Sequence, residues 1–278
     1  MLTAQPPSAG EAGEAPLLIV TRPAAQAAQW VHELQALGCA AQALPLIGIA
    51  AAPDAETVRH AWQALPAASV VMFVSANAVQ GFFACRPAEQ PWPQPLLAAS
   101  TGPGTSAALR AWGLLDGQIV QPGSGSPQFD SEALWQQLRA CWPSWQDRLV
   151  LLVRGGQGRD WLADTLRAHG ARVRSVVAYQ RHAPQPDAAG RALLASAQAQ
   201  PAHHVWLFSS SEAVAQLQQL VPQARWQTSQ AWVTHPRIGR AAQDAGFGAV
   251  LAVRPGAIAA AQQLQSGAWR WPLQSAAL

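Results

Sequence analysis

Short apolar runs alternate with amphipathic stretches along this chain, and the alternation comes round twice in the same order. LLIV, VVMFV, LLAAS, LVLLV, HVWLF and QAWV are each followed by a turn and then by apolar residues at helical spacing. Trp30, Val31, Leu34 and Leu37 make one such stripe, and Trp161, Leu162 and Leu166 make another; both read as core. Apolar runs lacking a period of two indicate strands covered on both faces, and strands alternating with helices predict parallel sheets.

The segment LLIVTRPAAQAAQWVHELQALGCAAQALPLI reads strand, loop, helix, glycine stop, strand. LVLLVRGGQGRDWLADTLRAHGARVRSVVAY repeats that order, with Gly38 and Gly170 as left-handed helix ends. VVMFVSANAV is echoed by HVWLFSSSEAV, aligning Ser75 with Ser210. LLAASTGPGTSAALRAWG is echoed by QAWVTHPRIGRAAQDAGF, aligning Gly113 with Gly246. Three echoes in one order predict two similar, doubly wound α/β lobes. PLIGIAAAP (45–53) and VVAYQRHAP (176–184) stand outside the repeat and run extended towards a proline, as two crossings between lobes. The expected division is therefore a discontinuous lobe one (16–47 plus 182–278), lobe two (50–178), and a two-stranded linker. Residues 1–15 read as a disordered leader without the basic and apolar regions of a secretory signal. The chain after Arg254 begins as a helix over lobe one, and Trp269-Arg270-Trp271 beyond it either packs back or is disordered.

Composition removes several classes of chemistry. All 18 basic residues are arginine, so Schiff-base lysines, pyridoxal-phosphate enzymes and lysine-dependent phosphate loops are excluded. A net charge of +3 without a basic run argues against nucleic acid as partner. No apolar run is long enough for a membrane span, which needs about 18 residues. Cys39, Cys85 and Cys141 form neither a disulfide framework nor a metal cluster, which predicts a reduced, cytoplasmic protein. No G-x-S-x-G elbow, H-E-x-x-H pair or catalytic carboxylate pair is present. Gly156-Gln157-Gly158 lacks the rest of a dinucleotide fingerprint, and His203-His204 reads as a solvated loop pair. Trp142, Trp145, Trp269 and Trp271 lie in surface-type stretches beside prolines and suggest no function.

What remains is a set of six turns leading from strand to helix. They are Thr21-Arg22-Pro23, Ser75-Ala76-Asn77, Thr101-Gly102-Pro103-Gly104-Thr105, Arg154-Gly155-Gly156, Ser209-Ser210-Ser211 and Thr234-His235-Pro236-Arg237. In parallel sheets ligands bind at the carboxyl ends of strands, where helix N-termini favour anions. Any one of these turns is accounted for by N-capping alone; six together point to a polyanionic ligand bound by Arg22, Ser75, Asn77, Thr101, Thr105, Arg154, Ser210, Thr234 and Arg237. Tyr179, the single tyrosine of the chain, lies on a crossing strand. It is either an aromatic packed at a hinge or a phenol placed to donate a proton or hydrogen bond in the cleft.

VTRP, ALPLI, FVSANAV, TGPGT, LLVRGG, VVAYQR and FSSSEAV, in this order from about Leu17 to Arg254, resemble the uroporphyrinogen-III synthase family. The resemblance implies two α/β lobes joined by a two-stranded ladder and a reaction without metal or organic cofactor. It implies a lyase and cyclase that takes hydroxymethylbilane, a linear tetrapyrrole with eight carboxylates, and expels water. The terminal D ring is inverted and the macrocycle closed, giving uroporphyrinogen III for haem biosynthesis. It makes Tyr179 the candidate for assisting hydroxyl departure, and Arg22, Ser75, Thr105 and Ser210 candidates for holding substrate. His235-Pro236-Arg237-Ile238 departs from the family's hydroxyl-bearing turn, leaving Arg237 to meet a carboxylate. A monomer is expected, able to receive substrate from the preceding enzyme of the pathway. The alternatives are a non-catalytic two-lobe anion-binding or sensor module, separated by turnover, and a sugar-nucleotide glycosyltransferase, separated by nucleotide binding.

Overall fold

The computed structural model describes residues 15–88, 90–123, 126, 129–156 and 160–267. The chain separates into two compact units, one holding the described residues up to Gly48 and from Ala183 onward, the other Ile49–His182. The first 14 residues, Gln157-Gly158 and Trp269-Arg270-Trp271 lie outside the described residues.

The discontinuous unit begins with β1 (Leu17–Val20), α1 (Ala24–Ala36) and β2 (Ala41–Ala43). The inserted unit follows: β3 (Gly48–Ala51), α2 (Ala55–Gln63), β4 (Val70–Phe73), α3 (Ala76–Ala84), β5 (Leu97–Ser100), α4 (Pro103–Ala111) and β6 (Ile119–Val120). It continues with α5 (Ser131–Cys141), β7 (Leu149–Gly155), α6 (Trp161–Ala168) and β8 (Arg172–His182). The chain then returns with α7 (Ala188–Ala199), β9 (His204–Phe208), α8 (Ser211–Leu220), β10 (Gln230–Val233), α9 (Pro236–Asp244), β11 (Ala249–Ala252) and α10 (Ala257–Gln265). Short 3₁₀ turns precede β4, β6 and β9. The two crossing stretches contain β3 and β8, which are neighbours in one sheet.

The discontinuous unit carries a five-stranded sheet in the order β11-β10-β9-β1-β2, parallel throughout. Strand order reverses between β1 and β9. The inserted unit carries six strands in the order β3-β8-β7-β4-β5-β6, with every pair from β8 to β6 parallel. Here the reversal lies between β4 and β7. Such switch points are where adjoining connections depart to opposite faces and leave a crevice at the carboxyl ends of the strands.

Burial explains the apolar runs. In β4, Val71 and Phe73 face one core with α2, α3 and α4, through Val58, Trp62, Val79, Phe82 and Leu109. Val70 and Met72 face the other, with α5 and α6, through Leu134, Trp135, Leu138, Leu162 and Leu166. Both faces are covered, so no polar alternation survives. The discontinuous unit packs β1, β9 and β10 on α1 and α10 through Leu18, Val205, Trp232, Leu34 and Leu264. Trp206 and Phe208 of β9 lie among Trp226 and Phe247.

The repeat extends to the backbone. Gly38, Gly113, Gly170 and Gly246 follow four of the helices at φ of 78°, 91°, 88° and 91°, values that disfavour a side chain. Ser75 and Ser210 occupy the same N-cap position, accepting from the backbone N–H of Ala78 and of Glu212 respectively.

Some expectations of burial are corrected. Leu37 and Trp161 are 40% and 39% exposed because they sit at the C-cap of α1 and the first residue of α6, where a helical stripe has turned off the core. Trp145 is buried against Trp135 and Trp142, so it belongs to a core and not to a surface stretch. His204 is buried at the start of β9, with Nδ1 against the Gln200 carbonyl at 2.9 Å and Nε2 beside Ser196 Oγ at 3.4 Å. Only His203 of that pair is exposed.

Candidate functional site

In the inserted unit, the residues expected to carry chemistry gather at the β4/β7 switch point. Ser75 ends the β4 turn and caps α3, its Oγ accepting from Ala78 N–H at 3.2 Å. The same Oγ lies 3.2 Å from the phenol oxygen of Tyr179. Thr101, at the end of the neighbouring β5, donates to the Val74 carbonyl at 3.3 Å. Asn77 and Tyr179 both line a cavity of about 300 Å³, with Ile49, Gln80 and Trp112 on its other walls.

Tyr179 reaches this place through an irregularity in the sheet. Pairing of β7 with β8 runs in step from Leu149↔Arg172 to Arg154↔Val177, then jumps to Gly155↔Tyr179. One extra residue in β8 breaks the period of two, so Tyr179 joins Val176 and Ala178 in one core instead of facing away from them. The ring then lies on the bare α-carbon of Gly155, where a Cβ would stand 2.8 Å from Cζ and 3.1 Å from the hydroxyl oxygen. Tyr179 is 2% exposed. Arg181, two residues along the strand and on the same side, donates from Nη2 to the phenol oxygen at 3.1 Å.

Arg154 leaves the same turn with its guanidinium ion-paired to Asp160, a carboxylate of its own chain. Thr105 lies in the first turn of α4 and is nearly buried, with its backbone N–H on the Gly102 carbonyl at 3.0 Å.

The discontinuous unit presents its own turns at the carboxyl ends of β1, β9 and β10. Thr21 is fully buried and donates to the Leu207 carbonyl at 2.7 Å, tying β1 to β9 at their switch point. Arg22 lies over the Trp30 ring at 4.7 Å and donates to Gln26 Oε1. Burial lowers the pKa of its guanidinium, while Glu33 pulls it upward. Thr234 donates its backbone N–H to the Phe208 carbonyl at 3.2 Å. In the turn that lacks the family's hydroxyl, the His235 imidazole caps α9, Nδ1 accepting from Arg237 N–H at 3.1 Å. The Arg237 side chain is exposed.

Arg181 and Gly155 were missed as partners of Tyr179. The signal was available for Arg181, since residues two apart on a strand share a side. None announced the bulge. Among the described residues no group of three or more His, Cys, Asp or Glu side chains is placed to hold a metal ion. No helix among them is long and apolar enough to cross a membrane. A second cavity, of about 450 Å³, lies beside Ser69, Leu97, Trp142 and Arg148 at the amino ends of β4, β5 and β7. That is the end of the sheet away from the helix N-termini, so anion chemistry is better served by the switch point.

The uroporphyrinogen-III synthase HemD family model matches residues 28–261, most of the chain. The chain belongs to the uroporphyrinogen-III synthase family. It is 30% identical over 167 residues to uroporphyrinogen-III synthase of Proteus mirabilis, covering 59% of this chain and 79% of that protein. It is 29% identical over 224 residues to the Escherichia coli (strain K12) synthase, covering 80% and 85%. The fold is shared with a mutant uroporphyrinogen III synthase from the extremely thermophilic bacterium Thermus thermophilus at a TM-score of 0.55 and 16% identity, over 91% of this chain and 98% of that one. It is shared also with uroporphyrinogen-III synthetase from Helicobacter pylori 26695, at 0.57 and 13%, over 91% and 99%. As a uroporphyrinogen-III synthase, the protein is an enzyme of tetrapyrrole biosynthesis that cyclises hydroxymethylbilane.

Proposed function

We propose that Tyr179 is the proton donor of this synthase and that the strand-to-helix turns receive the substrate's carboxylates. The carrying observation is the phenol at the β4/β7 switch point, held between Ser75 Oγ and Arg181 Nη2 beside a cavity of about 300 Å³. As the C–O bond of the terminal hydroxymethyl group breaks, its electron pair goes to oxygen and the phenol proton completes a water molecule. The azafulvene so formed on ring A is attacked by the substituted carbon of ring D. The bond from that carbon to the methylene of ring C then breaks, leaving an azafulvene on ring C. The unsubstituted α-carbon of ring D attacks this methylene and sheds the proton that restores the phenol, closing the macrocycle with ring D inverted.

The substrate ionises readily, so the larger contribution comes from holding its two ends together and from placing positive dipoles against its charge. In the inserted unit the proposed binding residues are Ser75, Asn77, Thr101 and Thr105; the turns of the discontinuous unit offer Arg22, Ser210, Thr234 and Arg237. Arg154 is a weaker member because Asp160 already occupies its guanidinium. The reading includes a single chain as working unit, each sheet being complete within it, and a cytoplasmic setting. Freshly made hydroxymethylbilane should give type III porphyrin after oxidation when the protein is added. Type I product alone, from folded protein, would sink the reading and leave an anion-binding module.

A further inference from the structure

We infer that Arg181 is a positioning residue for Tyr179, directing the phenol proton and holding the oxygen as that proton leaves. The inference rests on the proton-donor role proposed for Tyr179.

A guanidinium has donors only, so the 3.1 Å contact to Arg181 Nη2 makes the phenol oxygen an acceptor. That fixes one lone pair and turns the hydroxyl proton away from Arg181. Ser75 Oγ, 3.2 Å from the same oxygen, is itself pinned by the Ala78 N–H. The phenol therefore rests between a donor on one side and a capped hydroxyl on the other, in the room that Gly155 leaves for its ring. The guanidinium carbon stands 5.7 Å from the ring centroid, reaching past the ring towards the oxygen at its edge.

Proton donation puts negative charge on that oxygen. A hydrogen bond from an ionised donor strengthens as its acceptor gains charge. The Arg181 contact is thus worth more while the proton is leaving than in the resting enzyme, and an interaction of this kind acts on turnover and leaves substrate binding unchanged. A surface arginine that gripped a substrate carboxylate would do the opposite, changing KM first.

Arg181 is exposed, so its replacement leaves the core intact. Arg181→Met should lower kcat by about tenfold with KM changed less than about twofold, and Arg181→Lys should recover part of the loss. In a Tyr179→Phe background Arg181→Met should have no further effect, because it acts through the missing hydroxyl. Tyr179 is the single tyrosine, so a ¹³Cζ-tyrosine label gives one resonance, which Arg181→Met should shift. A raised KM at unchanged kcat, or an effect that adds to that of Tyr179→Phe, would overturn the inference and leave the proton-donor reading standing. Full activity in Tyr179→Phe alone would remove both.

Discussion

Gly155 is the strand partner of Tyr179, and the tyrosine ring occupies the space a side chain on residue 155 would need. The glycine is required by the ring and not by its backbone, since it is absent from the positive-φ positions. Gly155→Ala should therefore fold but push the phenol off its place. A displacement of about 1 Å at a reacting group can cost about 10²-fold in rate. The expected result is a drop of that order in kcat, followed by the porphyrin isomer assay, with a thermal midpoint lowered by an overpacking cost of about 1–3 kcal/mol. Wild-type turnover in the alanine variant would show that the phenol's position is unimportant.

Tyr179→Phe keeps the ring on Gly155 and removes only the hydroxyl. Turnover should fall by less than the roughly 10²–10⁴-fold often assigned to general acids, because the substrate departs readily without help. Type III product should persist above the spontaneous type I background. A well-folded variant with no type III product at all would make the phenol indispensable and the orientation argument wrong.

Gly81 in α3 faces the Ala178 carbonyl of β8 so closely that a Cβ would overlap its oxygen. Helix propensity alone favours alanine there by about 1 kcal/mol, while overpacking against backbone costs about 1–3 kcal/mol. The second effect wins, so Gly81→Ala should lower the urea midpoint, and should also disturb activity through the neighbouring Tyr179. A stabilised variant would mean that α3 can lift from the sheet freely.

Asp54 caps α2, and hydrogen bonds from the Thr57 hydroxyl and backbone hold its carboxyl below the usual range. A carboxylate lowered in the folded state adds stability above its unfolded pKa and loses it as pH falls through the folded value. The difference in thermal midpoint between the wild type and Asp54→Ala should thus be full at neutral pH and close in acid. A difference that does not change with pH would assign the cap to shape and not to charge.

Much of this fold was legible because both lobes obey local rules. Buried runs such as VVMF and HVWLF, apolar on both faces and bounded by turns, read as covered strands, and the glycines at 38, 113, 170 and 246 mark helix ends. The N-caps at Ser75 and Ser210 were equally plain. The site was less so, because it depends on sheet order. Nothing local tells that β4 lies beside β7, or that one extra residue in β8 carries Tyr179 across to the other face. His235 as a cap was hidden for a different reason: an imidazole nitrogen can replace a hydroxyl there without any motif to show it.

The order of the strands also fixes a timetable for synthesis. β1 pairs with β2 on one edge and with β9 on the other, matching Leu17 to His204, so that second edge must wait for a partner that follows the whole of Ile49–His182. The inserted unit has every strand of its own sheet within Gly48–His182 and can complete it once His182 has left the ribosome. Its host has the higher contact order and the longer loop to close. A nascent chain of this protein thus finishes its guest before its host, with LLIV held by β2 alone and its other edge open in the meantime.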